Sequence, residues 1–121
     1  MDTVVIVGDA TFRIAARRHE GQWIAYAERE DSGERVGPLF AGEEEGELTR
    51  RVAAWLEWQH EHAAALAALQ DAERAYQRSI AGSAFASATE DPLPIEIQKE
   101  SLLRLEEARL RLDEIRRQKP E

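Results

Sequence analysis

The chain has no cysteine and no asparagine, and its 121 residues include one methionine and four prolines. The missing cysteine removes disulfides, thiolate metal sites and thiol nucleophiles together, and it suits a cytoplasmic setting, which is the expected location. Long hydrophobic stretches are missing from the N-terminal region, where the apolar run Val4–Val7 covers four residues. That is too short for the apolar segment of an export signal or for a membrane span. Excess positive charge is missing as well. The net charge is −8, split as −2 over residues 1–42, −4 over 43–81 and −2 over 82–121. No segment carries the basic footprint of a nucleic-acid binder, so direct nucleic-acid contact is not expected beyond a local group such as Arg13, Arg17 and Arg18.

What is present supports one small α+β domain. Apolar residues make up 43% of the chain and charged residues 33%, enough for a core under a heavily charged surface. Residues 1–42 read as an antiparallel meander of three or four strands. The run Val4–Val7 is β-branched and closed by Gly8-Asp9. Thr11 to Arg18 alternates, His19-Glu20-Gly21 turns, and Gln22 to Arg29 alternates again. A three-residue loop, 19–21, pairs Ala16 with Ile24 and Ile14 with Tyr26. It gathers Phe12, Ile14, Ile24 and Tyr26 on one face. A two-residue loop, 20–21, instead pairs Ala16 with Ala25 and places Trp23 with Phe12. The first register is preferred, because slipping by one residue moves the whole apolar set to the other side. After the turn 31–34, Arg35 to Ala41 forms a weaker fourth strand. Pro38 requires that strand to be an edge or to be interrupted.

A helix is expected over 43–81, started by Glu43-Glu44-Glu45. Leu48, Val52 and Trp55 are expected to cover Phe12 and Tyr26 of the sheet. At about 1.5 Å per residue this helix spans roughly 58 Å, longer than the roughly 35 Å expected of a compact chain of this size. Residues 82–94 read as a loop in which Phe85 tucks back. A second helix over 95–118 returns to make a helical hairpin. Leu102, Leu105, Ala108, Leu112 and Ile115 form its stripe, flanked by Leu103 and Leu110. A two-helix hairpin leaves apolar surface uncovered. The interface candidates are therefore Leu66, Leu69, Tyr76, Ile80, Leu103 and Leu110, in a homodimer or larger assembly that could also hold another protein partner.

Residues 55–62, WLEWQHEH, concentrate two tryptophans, two histidines and two glutamates. His60 and His62 stand two apart, about 200° around a helix, so they cannot aim at one ion; metal-binding pairs on a helix are four apart. Glu57, His60 and Glu61 are the residues on which an enzyme reading would rest. The packing reading is preferred, with no catalytic, cofactor or metal residue assigned. Gly8-Asp9 lacks the glycine pattern and lysine of a phosphate loop, and no serine sits in a nucleophile elbow.

The stretch FRIAARRHEGQWIAYAERE, with its glycine turn and apolar-x-aromatic alternation, resembles the opening hairpin of HicB-like antitoxins. VGPLFAGEEEGELTRRVAAWL is similar to that family's third strand, turn and acidic-started helix. The resemblance spans residues 11–60. It implies a regulatory module that neutralises a protein partner, and it transfers no functional residue. The departures are an additional first strand, a much longer helix and a C-terminal helical hairpin. The reading favoured by the whole chain is a non-enzymatic structural or interaction protein. A regulatory antitoxin-like or small-ligand-binding module is the alternative.

Overall fold

A computed structural model describes residues 2–86 and 93–120, with side chains of 82–86 and 93–94 outside the description. The Phe85 side chain and residues 87–92 of the expected loop therefore lie outside the described residues. Four strands, β1 (Thr3–Val7), β2 (Ala10–His19), β3 (Gln22–Arg29) and β4 (Arg35–Gly42), precede two helices, α1 (Glu45–Ala86) and α2 (Leu93–Arg117). The strands form one antiparallel sheet in the order β1-β2-β3-β4, so each pairs with its neighbour in sequence. The fold is the expected α+β meander followed by a helical hairpin.

The hairpin turns explain the registers. Gly8, at φ 63, is the first central residue of the β1–β2 turn, where a type II′ turn favours glycine. Glu20 and Gly21, at φ 50 and 81, form the β2–β3 turn with the two left-handed residues of type I′. This two-residue loop pairs His19 with Gln22, Ala16 with Ala25 and Ala15 with Tyr26. The preferred three-residue register is thereby overturned. Tyr26 and Ile24 face away from the core, and Trp23 shares the inner face with Phe12, Ile14 and Ala16. Tyr26 is not under the helix with Phe12. Small residues allow this outcome: Ala25 and Ala27 are 0% and 1% exposed and fill the inner face of β3.

Pro38 has both of its expected consequences. β4 is an edge strand, and its pairing is interrupted: Ala25 pairs with Phe40 and Ala27 with Val36, so Tyr26 faces three residues, Gly37 to Leu39. The core of this part of the chain comprises Val7, Ile14, Ala16, Ala25, Ala27 and Phe40 of the sheet beneath Leu48, Val52 and Leu56 of α1. Those three helical residues recur every four positions and form one line along the helix. Leu48 and Val52 were expected there. Leu56 adds to them, and Trp55 is half-buried at the margin.

α1 is one helix of 42 residues. It runs on to Ala86, so 82–86 continue the helix instead of opening the loop. The Glu45 and Glu47 carboxylates in its first turn oppose the positive helix end, and the Thr49 hydroxyl donates to the Glu45 carbonyl at 3.0 Å. α2 carries Pro94 in its first turn, where no intrahelical donor is lost, and Arg116 and Arg117 in its last. The chain divides into two compact units, Met1–His60 with Lys119–Glu121, and Glu61–Gln118, with the division falling inside α1.

Candidate interaction surfaces

The stretch WLEWQHEH resolves into separate packing contacts. Leu56 is buried in the core at 3% exposure. Trp55 lies against Gly37 of β4, and a Cβ placed on that glycine would fall 2.6 Å from Cζ3 of the indole. Trp58 is half-buried, and the Lys119 ammonium sits 5.4 Å above its ring. The His60 imidazole occupies the space over Gly8, where a Cβ would come within 2.5 Å of Cε1. Glu57, His60 and Glu61, on which an enzyme would rest, are each exposed, and His62 is half-buried. Among the described residues no three histidine, aspartate or glutamate side chains gather in metal-binding geometry.

The outer face of the sheet carries Arg13, Ala15 and Arg17 of β2 beside Ile24, Tyr26 and Glu28 of β3. Ala15 is 3% exposed there opposite Tyr26. Arg13 and Arg17 flank it, and both are occupied: Arg13 Nη2 lies 2.8 Å from Glu30 Oε1, and Arg17 Nη1 lies 2.9 Å from Asp2 Oδ1. The Arg17 hydrogen bond, followed by its charge, holds the Asp2 carboxyl below the usual carboxylate range. Arg29 does the same for Asp31, across 3.3 Å. The basic group visible in the sequence is therefore largely neutralised by its own chain; Arg18 lies on the inner side, across from Trp23.

Beside the Arg13 ion pair the same face carries an apolar feature. Val4 and Ile6 of β1 are 57% and 74% exposed. β1 is a terminal strand of the sheet, and its five residues, TVVIV, contain no charge, proline or glycine. Sequence reasoning treated these side chains as ordinary strand formers. Their exposure follows from the strand order, which leaves one side of β1 without a neighbour.

The helical unit sorts the interface candidates into two groups. Leu66, Leu69 and Tyr76 are half-buried, whereas Ile80, Leu103 and Leu110 are exposed. Among the described side chains, Leu105, Leu112 and Ile115 form the buried side of α2, and Ala65 is the buried residue of α1 in this unit. Leu103 and Leu110 do not flank that stripe. At 100° per residue they sit about 140–180° away from Leu105 and Leu112, on the far side of the helix. Leu102, expected within the stripe, is at its edge. An open groove of about 670 Å³ runs beside Ala68, Ala72, Ala75 and Ala108, with charges of both signs at its rim.

Comparison with protein-family models, with curated proteins and with solved structures finds no match. Among the described residues no helix is long and apolar enough to cross a membrane.

Proposed function

We propose that the chain is a non-catalytic interaction protein of the cytoplasm that acts as a homo-oligomer. The observation that supports this is the exposure of large apolar side chains in both units, with Ile6 at 74% and Leu110 at 67%. Contiguous apolar surface is costly to leave in water, and association with a second copy removes it. On α2 the uncovered pair Leu103 and Leu110 stands seven residues apart on one side of the helix, a spacing suited to another helix. Sedimentation equilibrium across micromolar concentrations tests the reading. The expected mass is at least twice the single-chain 13.7 kDa; a mass of one chain at every concentration overturns it.

A second reading draws on the order of hairpin, third strand, turn and acidic-started helix across residues 11–60. It makes the chain a regulatory, antitoxin-like module for a different protein. A stable complex of fixed stoichiometry with a protein partner, replacing the homo-oligomer, would favour it.

A further inference from the structure

We infer that the free side of β1 pairs antiparallel with β1 of a second copy, about a twofold axis at Val5, to join two four-stranded sheets into one. This rests on the self-association proposed above and names the surface that carries it. The two edges of the sheet differ in kind. β4 is protected by its interrupted pairing and by Pro38. β1 has none of the devices that keep edges from pairing: it has no inward charge, no proline, no lysine and no bulge.

The turn decides which backbone groups of β1 are open. Val7 and Ala10 close a two-residue turn, so they exchange hydrogen bonds, and the alternation of an antiparallel ladder makes Val5–Phe12 and Thr3–Ile14 bonded pairs too. The N–H and C=O groups of Val4 and Ile6 therefore point away from β2. A twofold axis at Val5 sets Val4 opposite Ile6 of the second copy, and Ile6 opposite its Val4. Every open group of these two residues then has a partner. The same register places the two exposed apolar side chains of the strand against each other across the seam, where such pairs stabilise a sheet. Val5 meets its own copy, and Thr3 meets Val7. No charge lies within the seam, and Asp2 at the strand's end is already neutralised by Arg17. A second copy of β1 is thus complementary in hydrogen bonding, in apolar surface and in charge.

The chain's lack of cysteine makes the test direct. In this register Val5 and its copy form a non-hydrogen-bonded pair, with Cα atoms about 4.5 Å apart, inside the range a disulfide spans. Val5→Cys should give a disulfide-linked dimer on mild oxidation. Thr3→Cys, whose copies stand at opposite ends of the seam, should not. Ile6→Pro removes one outward N–H and leaves the β2 ladder intact; Ile6→Lys places a charge in the seam. Each should halve the sedimenting mass with an unchanged far-ultraviolet circular dichroism spectrum. Ile6→Lys carries the test if the proline variant fails to fold. A wild-type oligomer whose mass withstands Ile6→Lys and which Val5→Cys does not cross-link overturns the β1 pairing and leaves self-association standing. A wild-type monomer overturns both.

Discussion

The Trp55 indole occupies the space that any side chain on Gly37 would need. A Cβ there would fall 2.6 Å from Cζ3 and 2.8 Å from Cη2 of the ring, and the backbone at Gly37 has φ 81. The helix and the interrupted part of β4 are thereby matched to each other at one point. Gly37→Ala incurs two penalties, a left-handed backbone worth roughly 1–2 kcal/mol for a residue with a Cβ and displacement of the indole. The combined loss should be about 2–4 kcal/mol by urea denaturation. Trp55→Ala alone should lose about 2–3 kcal/mol, below the range for a fully buried tryptophan because the ring is half-buried. In the double variant the second loss should be smaller than in isolation, because the clash is relieved. Strict additivity would show that the two residues do not constrain each other.

The β2–β3 turn holds Glu20 at φ 50, a conformation that asparagine tolerates better than glutamate. Glu20→Asn should raise stability by about 0.5–1 kcal/mol with no change of register. A loss of stability in equilibrium unfolding would contradict a type I′ turn at Glu20-Gly21.

Two leucines of α2, two positions apart, should respond in opposite ways. Leu105 is 5% exposed and Leu103 is 59% exposed. Leu105→Ala should cost about 2–5 kcal/mol. Leu103→Ala should stay within about 0.5 kcal/mol of wild type in the dissociated chain. Leu103→Glu combined with Leu110→Glu should lower the oligomeric mass if this side of α2 contributes to association. An unchanged mass in sedimentation would remove it from the interface.

Acid should weaken the sheet through two carboxylates. Asp2 and Asp31 are held below their usual range by Arg17 and Arg29, so their folded affinity for protons is lower than in the unfolded chain. Their contribution is present above the unfolded carboxylate value of about 3.9 and is lost as pH falls through the lower folded values. Both groups are solvent-exposed, so the effect is small. Asp2→Asn with Asp31→Asn should flatten the fall in urea midpoint from about pH 5 downward. Parallel wild-type and variant curves would show that these ion pairs do not persist in solution.

His60 packs over Gly8 and stands two residues from His62, in a geometry suited to contact with backbone. Protein purified without added metal should contain zinc, iron and manganese well below one equivalent by elemental mass spectrometry. Stoichiometric metal, lost in His60→Ala, would overturn the packing role.

The sequence by itself determined the order and type of the elements. Alternation of period two in β2 and β3 and helical spacing from Leu48 onward are local properties, as are the glycines at Gly8, Gly21 and Gly33, which take positive φ. Pro38 likewise announced its interruption, because a residue without an N–H cannot serve a central ladder. Which side of β3 is buried was decided by tertiary structure. Both registers gather apolar groups, and the bulkier set, Ile24 and Tyr26, lost to Ala25 and Ala27. The type I′ turn sets the pairing, and the line Leu48, Val52 and Leu56 fits closely over small residues. The contacts of Trp55 with Gly37 and of His60 with Gly8 were invisible for a similar reason. A glycine's missing Cβ has meaning only when another element arrives to fill the space. The exposure of Val4 and Ile6 depends on the strand order, because a β-branched run reads the same in the centre of a sheet as at its edge.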